Sequence, residues 1–471
     1  MHVSCYDVAA RWVPAIRLTT SSLTNGCMNK SPRHGSLLVI FLTVFIDLLG
    51  FGMVLPLLPI YAKQFATDES GVSLGLLMAS FSAMQFIFAP LWGRLSDRIG
   101  RRPVLMVGLA GSVVFYSLFG IATVLQSLPL LFVARIGAGV AGATISTAHA
   151  YIADSTSLQN RPKGMALIGL AFGLGFTVGP LFGALALPWE EITRPSFDPS
   201  AIVDASTATS VTPEHIELGP WPGYAAAMLS GVALLLAIFV LPESLHPGSE
   251  SAARRRFNKT AIHEAVSVPS IGLLLLAMFI VVFSFSNLET TLSLILKGQP
   301  GIETPFRLSV RDVLLTFAFI GLVLAVVQGG LVRPLSGRVS EVALASVGSL
   351  LEIVSFVWII FILRSPHPSM PAVYGMLALC TAGFAFITPS LNSLLSRRSD
   401  PAKQGAILGL GQSVSSLARI VGSGLGIPLL MQSVLLPYMV AGGLMVVGLL
   451  LVLLAGASGK DYAKSEATIL H

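Results

Sequence analysis

The sequence predicts an all-α membrane fold: twelve transmembrane helices in two pseudo-symmetric six-helix bundles. Three observations carry this. The chain of 471 residues is 54% hydrophobic and only 11% charged, with a mean hydropathy of +0.80, far too little charge for a soluble surface of this size. Its apolar residues gather into twelve runs, most near or above the ~20 residues a helix needs to cross a hydrocarbon core. The two halves also repeat. Pro90-Leu91-Trp92-Gly93-Arg94-Leu95-Ser96-Asp97 aligns with Pro334-Leu335-Ser336-Gly337-Arg338-Val339-Ser340-Glu341, and the same shift of 244 residues takes Gly139 to Gly383 and Thr144 to Thr388. Two anchors at one offset indicate an internal duplication, the device by which many carriers place a site at a pseudo-symmetric interface near mid-membrane.

In order, the runs cover 36–62, 72–92, 103–125, 128–152, 162–187, 222–242, 269–295, 310–332, 342–363, 370–394, 404–432 and 434–456. Residues 1–35 form a polar tail without the apolar core of a signal peptide, and Met28 offers an alternative start. The first bundle spans 36–242 with a long connection at 188–221, a linker covers 243–268, the second bundle spans 269–456, and 457–471 form a tail. Basic residues set the orientation. The tails and even-numbered connections hold Arg11, Arg17, Lys30 and Arg33, four arginines between Trp92 and Pro103, Arg161 and Lys163, Arg254, Arg255, Arg256 and Lys259, Arg333 and Arg338, Arg397, Arg398 and Lys403, and Lys460 and Lys464. The odd-numbered connections hold only Lys63, Arg194, Lys297, Arg307, Arg311 and Arg364. Both termini are therefore expected in the cytoplasm, with 188–221 outside. The net charge of +6 resides in these connections, so it does not indicate nucleic acid. Cys5, Cys27 and Cys380 are too few and too scattered for a disulfide framework or a metal cluster. No G-x-x-x-x-G-K-[ST] loop occurs. Neither cofactor nor metal is expected.

Between the second and third runs lies Gly93-Arg94-Leu95-Ser96-Asp97-Arg98-Ile99-Gly100-Arg101-Arg102-Pro103, read as a short charged loop. Asp97 is placed to satisfy free N–H groups at the next helix start, and Pro103 suits a first turn. Asp154 is positioned to latch onto Arg98 or Arg101 at the inner ends of adjacent helices, unless these charges are merely solvated.

Ionisable groups inside spans are costly and mark function. Asp47 lies roughly 16 Å past Ser36, about half the ~30 Å core. Its charged form is penalised there unless a cation pairs with it, and Arg135, roughly 10 Å into the fourth span from the other side, is the natural partner. Their contact either fixes packing or forms a site where protonation competes with substrate. Gly50, Gly52, Pro56 and Pro59 loosen the helix beyond Asp47. In the fifth span, Gly175, Gly179 and Gly183 permit close helix approach and Pro180 opposes a straight helix. Gln328 and Asn392 are placed either to line a cavity or to bond between helices. Glu289 falls near the outer end of its span, within reach of water. His149 and Arg419 read as packing partners, and Glu352 sits in mid-span without an evident role.

These motifs resemble the major facilitator superfamily. Gly93, Leu95, Asp97, Arg98, Gly100, Arg101 and Arg102 match its G-x-L-x-D-R-x-G-R-R pattern between helices 2 and 3. Gly175, Gly179, Pro180 and Gly183 match the fifth-helix signature of its antiporters, G-x-x-x-G-P-x-x-G-G, with Ala184 for the last glycine. Arg135 and Gly139 resemble R-x-x-Q-G, with Ala138 for glutamine. Asp47 before Pro56 and Pro59, together with Ala150-Tyr151-Ile152-Ala153-Asp154, resembles tetracycline/proton antiporters. The resemblance implies a secondary carrier of the cell (inner) membrane, not an enzyme, acting as a monomer in the lipid bilayer on protons and a small hydrophobic substrate. It leaves open a carrier of a sugar, organic anion or other metabolite, and a non-transporting sensor on the same fold.

Overall fold

The computed structural model describes residues 34–65, 68–156, 161–187, 219–245, 269–298, 301–335, 338–399 and 404–458. Met28, both tails, most of the 188–221 connection and most of the 243–268 linker lie outside the described residues. Twelve helical segments are long and apolar enough to cross a membrane. The first bundle contains α1 (His34–Val54), α2 (Leu58–Phe65), α3 (Val72–Ile99), α4 (Arg101–Val124), α5 (Leu128–Gly142), α6 (Ile145–Ser155), α7 (Arg161–Leu185) and α8 (Trp221–Phe239). The second contains α9 (Pro269–Lys297), α10 (Val310–Val326), α11 (Glu341–Arg364), α12 (Met370–Arg397), α13 (Gln404–Gln432) and α14 (Leu436–Ser458).

Three spans are broken. The first stops at Val54, where Pro56 removes a backbone donor, and resumes as the short α2. The fourth divides into α5 and α6 around Ala143 and Thr144. The eighth passes from α10 into a π-helical turn, Val327–Val332, containing Gly329 and Gly330. By contrast α7 continues through Pro180. Its glycine face packs on α1: a Cβ on Gly179 would stand 2.8 Å from the Leu49 carbonyl oxygen, and one on Gly175 2.8 Å from Leu48 Cβ.

The halves meet along α3 with α13 and along α7 with α10. At the end where α3 begins, the contact is backbone on backbone. A Cβ on Gly75 would lie 2.2 Å from the Gly424 carbonyl oxygen, and one on Gly321 2.6 Å from the Thr177 nitrogen. Lys63 Nζ reaches Met431 Sδ across the same end at 3.6 Å. Toward the end where α3 finishes, Gly169 and Gly173 of α7, Gly329 and Gly330 beyond α10, and Gly409 of α13 meet nothing within 4 Å. Among the described residues the halves close on each other at the first end, and these glycines at the second face open space.

Candidate functional site

Two constellations emerge, a charged corner at the open end and a cavity between the halves. The corner is not the loop expected from its charges. Helix α3 runs on to Ile99 and α4 starts at Arg101, so Gly100 alone is non-helical. Polar residues end the apolar run without ending the helix. Gly100 has φ 105°, a left-handed conformation that favours glycine, and a Cβ there would lie 2.6 Å from Glu243 Oε2.

The free N–H groups at the start of α4 are not taken by Asp97. Glu243, just beyond α8, accepts from Arg101 N at 2.9 Å and from Arg102 N at 3.1 Å, a carboxylate at a helix N-terminus. Arg102 reciprocates: its Nε donates to the Ala237 carbonyl at 3.2 Å and its Nη2 to that of Ile238, satisfying the last turn of α8. Asp97 instead pairs with Arg101 Nη1 at 2.5 Å. Of the two arginines considered for Asp154, it is Arg101 that meets it, at 3.0 Å, and Arg101 also donates to Ser96 Oγ at 2.6 Å. Arg101 is 6% exposed, whereas Arg98 is exposed. Gly93 meets nothing within 4 Å. Nothing in the sequence singled out Glu243, because its partners lie 142 and 141 residues upstream.

The cavity, of about 160 Å³, takes Asp47, Ser112, Tyr116 and Arg135 from the first bundle and Glu289, Thr290, Gln412 and Arg419 from the second. Asp47 and Arg135 share it, yet they form no ion pair with each other. Ser230 of α8 donates to Asp47 Oδ1 at 3.0 Å. Arg135, 3% exposed, places its Cζ 4.6 Å from the Phe81 ring centroid, a cation–π contact. Its Nε and Nη1 have no hydrogen-bond partner among the described residues. Asp47 and Arg135 thus line one cavity without the contact expected between them, since the helix face each occupies is not visible in depth alone.

The other polar candidates separate. Glu289 and Arg419 line the cavity, Glu289 being a cavity residue and not one at the span's watery end. On the same wall Thr290 Oγ1 lies 3.2 Å from Ser423 Oγ, which lies 2.9 Å from Ser286 Oγ. Gln328 and Asn392 are not among the lining residues: Gln328 lies in the π-helical turn, and Asn392 is exposed and donates to its own helix at the Thr388 carbonyl, 3.0 Å away. His149 is exposed beside the Ile145 carbonyl, 2.9 Å away. Glu352 is fully buried between α11 and α12, with neither carboxyl oxygen hydrogen-bonded among the described residues.

Twelve spanning helices, a duplicated charged corner and one cavity between two bundles define a membrane carrier architecture. Comparison with known proteins agrees: the sequence profile of the Major Facilitator Superfamily matches residues 40–423, and the chain belongs to that superfamily. The tetracycline resistance protein, class C, of Escherichia coli is 30% identical over 390 residues, covering 83% of this chain and 88% of that protein. Major facilitator superfamily domain-containing protein 10 of Mus musculus is 28% identical over 425 residues, covering 82% and 85%. Among solved structures, the human organic anion transporter MFSD10 (TETRAN) aligns with a TM-score of 0.63 at 26% identity, covering 89% of this chain and 99% of that one. A bacterial homologue of the human lysosomal transporter Spinster, inward-facing and occupied, aligns at 0.68 with 15% identity over 91% and 98%, a likeness of fold.

Proposed function

We propose that this protein is a proton-coupled antiporter that exports a small hydrophobic, drug-like compound of the tetracycline kind by alternating access. One observation carries the reading: Asp47 lines a cavity shared by both halves and is held by a hydroxyl rather than neutralised by Arg135. A carboxylate so placed can take up a proton and give it up to cargo. The bundles at 36–242 and 269–456 rock against each other about this site. The excess of basic residues puts the charged corner and both termini in the cytoplasm, so the open end faces inward. The antiporter motif of Gly175, Gly179, Pro180 and Gly183 supports exchange rather than symport, and the corner of Gly93, Asp97, Arg98, Gly100, Arg101, Arg102 and Asp154 acts as the inner gate. One net charge crossing 100 mV carries about 2.3 kcal/mol, enough for roughly a fifty-fold gradient at ~1.4 kcal/mol per decade.

The test is proton release in inside-out vesicles on adding hydrophobic cations, tetracyclines and organic anions in turn. A drug response abolished by Asp47→Asn supports the reading; a response indifferent to that change removes Asp47 from the coupling. A second reading, a carrier of organic anions, is favoured by the unmatched donors of Arg135. It predicts that anions alone respond, and that Arg135→Gln abolishes their response.

A further inference from the structure

Asp47 poses a physical problem that its cavity does not solve. A carboxylate at mid-membrane needs a compensating partner to carry charge, and the cation nearest in expectation, Arg135, is engaged over Phe81 instead. Two hydroxyls stand at the carboxyl instead: Ser112 of α4, which lines the cavity, and Ser230, which comes from behind it. Ser230 is fully buried and lies on α8, which runs beside α1. The two helices approach closely one turn away: a Cβ on Gly50 would stand 3.2 Å from the Ala226 carbonyl oxygen. Asp47 and Gly50 are three residues apart and Ala226 and Ser230 four, so each pair shares one helix face. The close approach at Gly50 therefore aims the Ser230 hydroxyl at Asp47 Oδ1.

We infer that Ser230, beside Ser112, is a positioning residue that favours the charged, proton-accepting form of Asp47 against the bias of its burial, in place of the cation its depth would otherwise demand. This rests on the reading of Asp47 as the proton site. A hydroxyl suits the task better than a guanidinium. It donates a hydrogen bond to the ionised carboxylate, and as a neutral group it can turn to accept one from the protonated acid. It therefore supports both ends of an exchange cycle, where a tight ion pair would lock one. The other titratable or charged groups around Asp47 are Tyr116 of α4, Arg135 of α5, and Glu289 and Arg419 across the cavity. Helix α6 brings His149 and, in the corner, Asp154, while α7 has no charged residue beyond Lys163.

Infrared titration of the full-length protein in nanodiscs tests this without any cargo, by following the protonated-carboxyl band that Asp47→Asn deletes. In Ser230→Ala the titration curve moves toward higher pH by about one unit, a tenfold gain in proton affinity. Ser230→Thr keeps the hydroxyl and titrates as the wild type does. Ser230→Cys, a weaker donor, falls between them and serves if the alanine variant does not fold. An unmoved curve in Ser230→Ala overturns the inference. So does an equal shift in Ser230→Thr, which would indicate packing alone, or the absence of any Asp47 band to follow. If the band shifts as described while no compound releases protons from vesicles, the transport reading fails and the role of Ser230 stands.

Discussion

At the corner between α3 and α4, the helix start is capped from a distance, by Glu243, and a buried Arg101 joins Asp97 to Asp154. At the equivalent corner of the second bundle, Ser340 caps α11 itself, accepting from Ala343 N at 3.3 Å. There Glu341, the counterpart of Asp97, pairs with Arg397 at 2.8 Å, and that arginine side chain is 50% exposed. The offset of 244 that equates Asp97 with Glu341 also sets Asp154 against Arg398, so one acid has become a base. Arg398 now donates to the Ala455 carbonyl at 2.8 Å, near the end of α14, much as Arg102 serves α8. Both corners keep an ion pair and an arginine on a helix C-terminus. Among the described residues the first ties together α3, α4, α6 and α8, and the second α11, α12 and α14. Duplication preserved the parts, and the two copies diverged in how widely each part is connected.

The sharpest way to break this contrast is to remove the two arginines in parallel. Arg101→Gln leaves two partly exposed acids facing a nearly buried, neutral group and should cost about 1–3 kcal/mol, read as a drop in thermal unfolding temperature in detergent. Arg397→Gln should cost under about 1 kcal/mol, as exposed pairs do. Equal effects would dissolve the distinction. Next in size is the interior. Glu352 stands where the first bundle has Gly108, with its oxygens unmatched and its Cγ against Gly383. Glu352→Met should stabilise by about 1–3 kcal/mol, in the same melting assay; a loss instead would assign the carboxyl a partner.

The caps differ less. Glu243→Ala exposes the start of α4 and should cost about 1–2 kcal/mol, and Ser340→Ala about 0.5–1. Gly100→Ala should resemble Glu243→Ala, because its Cβ displaces the same carboxylate and its backbone is strained besides. The smallest effect is at the closed end. Burial is the largest single influence on Asp68 and raises it, but hydrogen bonds from Ser73 and then Ser70 together outweigh this and hold its carboxyl below the usual 3.8. The stability it lends α3 is present above the unfolded value and fades as pH falls through the folded one. Asp68→Asn should therefore lower the melting temperature slightly at neutral pH and not in acid. At α10 the same place is taken by Ser309 and Asp312, whose Oγ–Oδ2 distance is 2.6 Å.

The spans, the corner and the acid at mid-depth were legible because each follows from the chain's own run of residues. Hydropathy gives the spans, charge density the corner, and distance from the end of a span the depth of Asp47. What sequence could not give was partnership across helices. Glu243 looks like a solvated acid after a span until α4 is folded beside it. Ser230 is one serine in an apolar run. Asn392 and Gln328 share the polarity of cavity residues, but the face they occupy depends on helix rotation, which the π-helical turn after α10 alters locally. The extension of α3 to Ile99 was hidden for a related reason: hydropathy marks where lipid contact ends, not where a helix does.

The cap on α4 has a consequence for biosynthesis. Arg101 and Arg102 leave the ribosome long before Glu243 is made, so during translation the α3–α4 hairpin stands with bare amides. Only when α8 has inserted does the acid arrive. Nascent chains halted with Glu243 still inside the ribosome should therefore remain open to protease at the hairpin, and those long enough for Glu243 to have emerged should resist it.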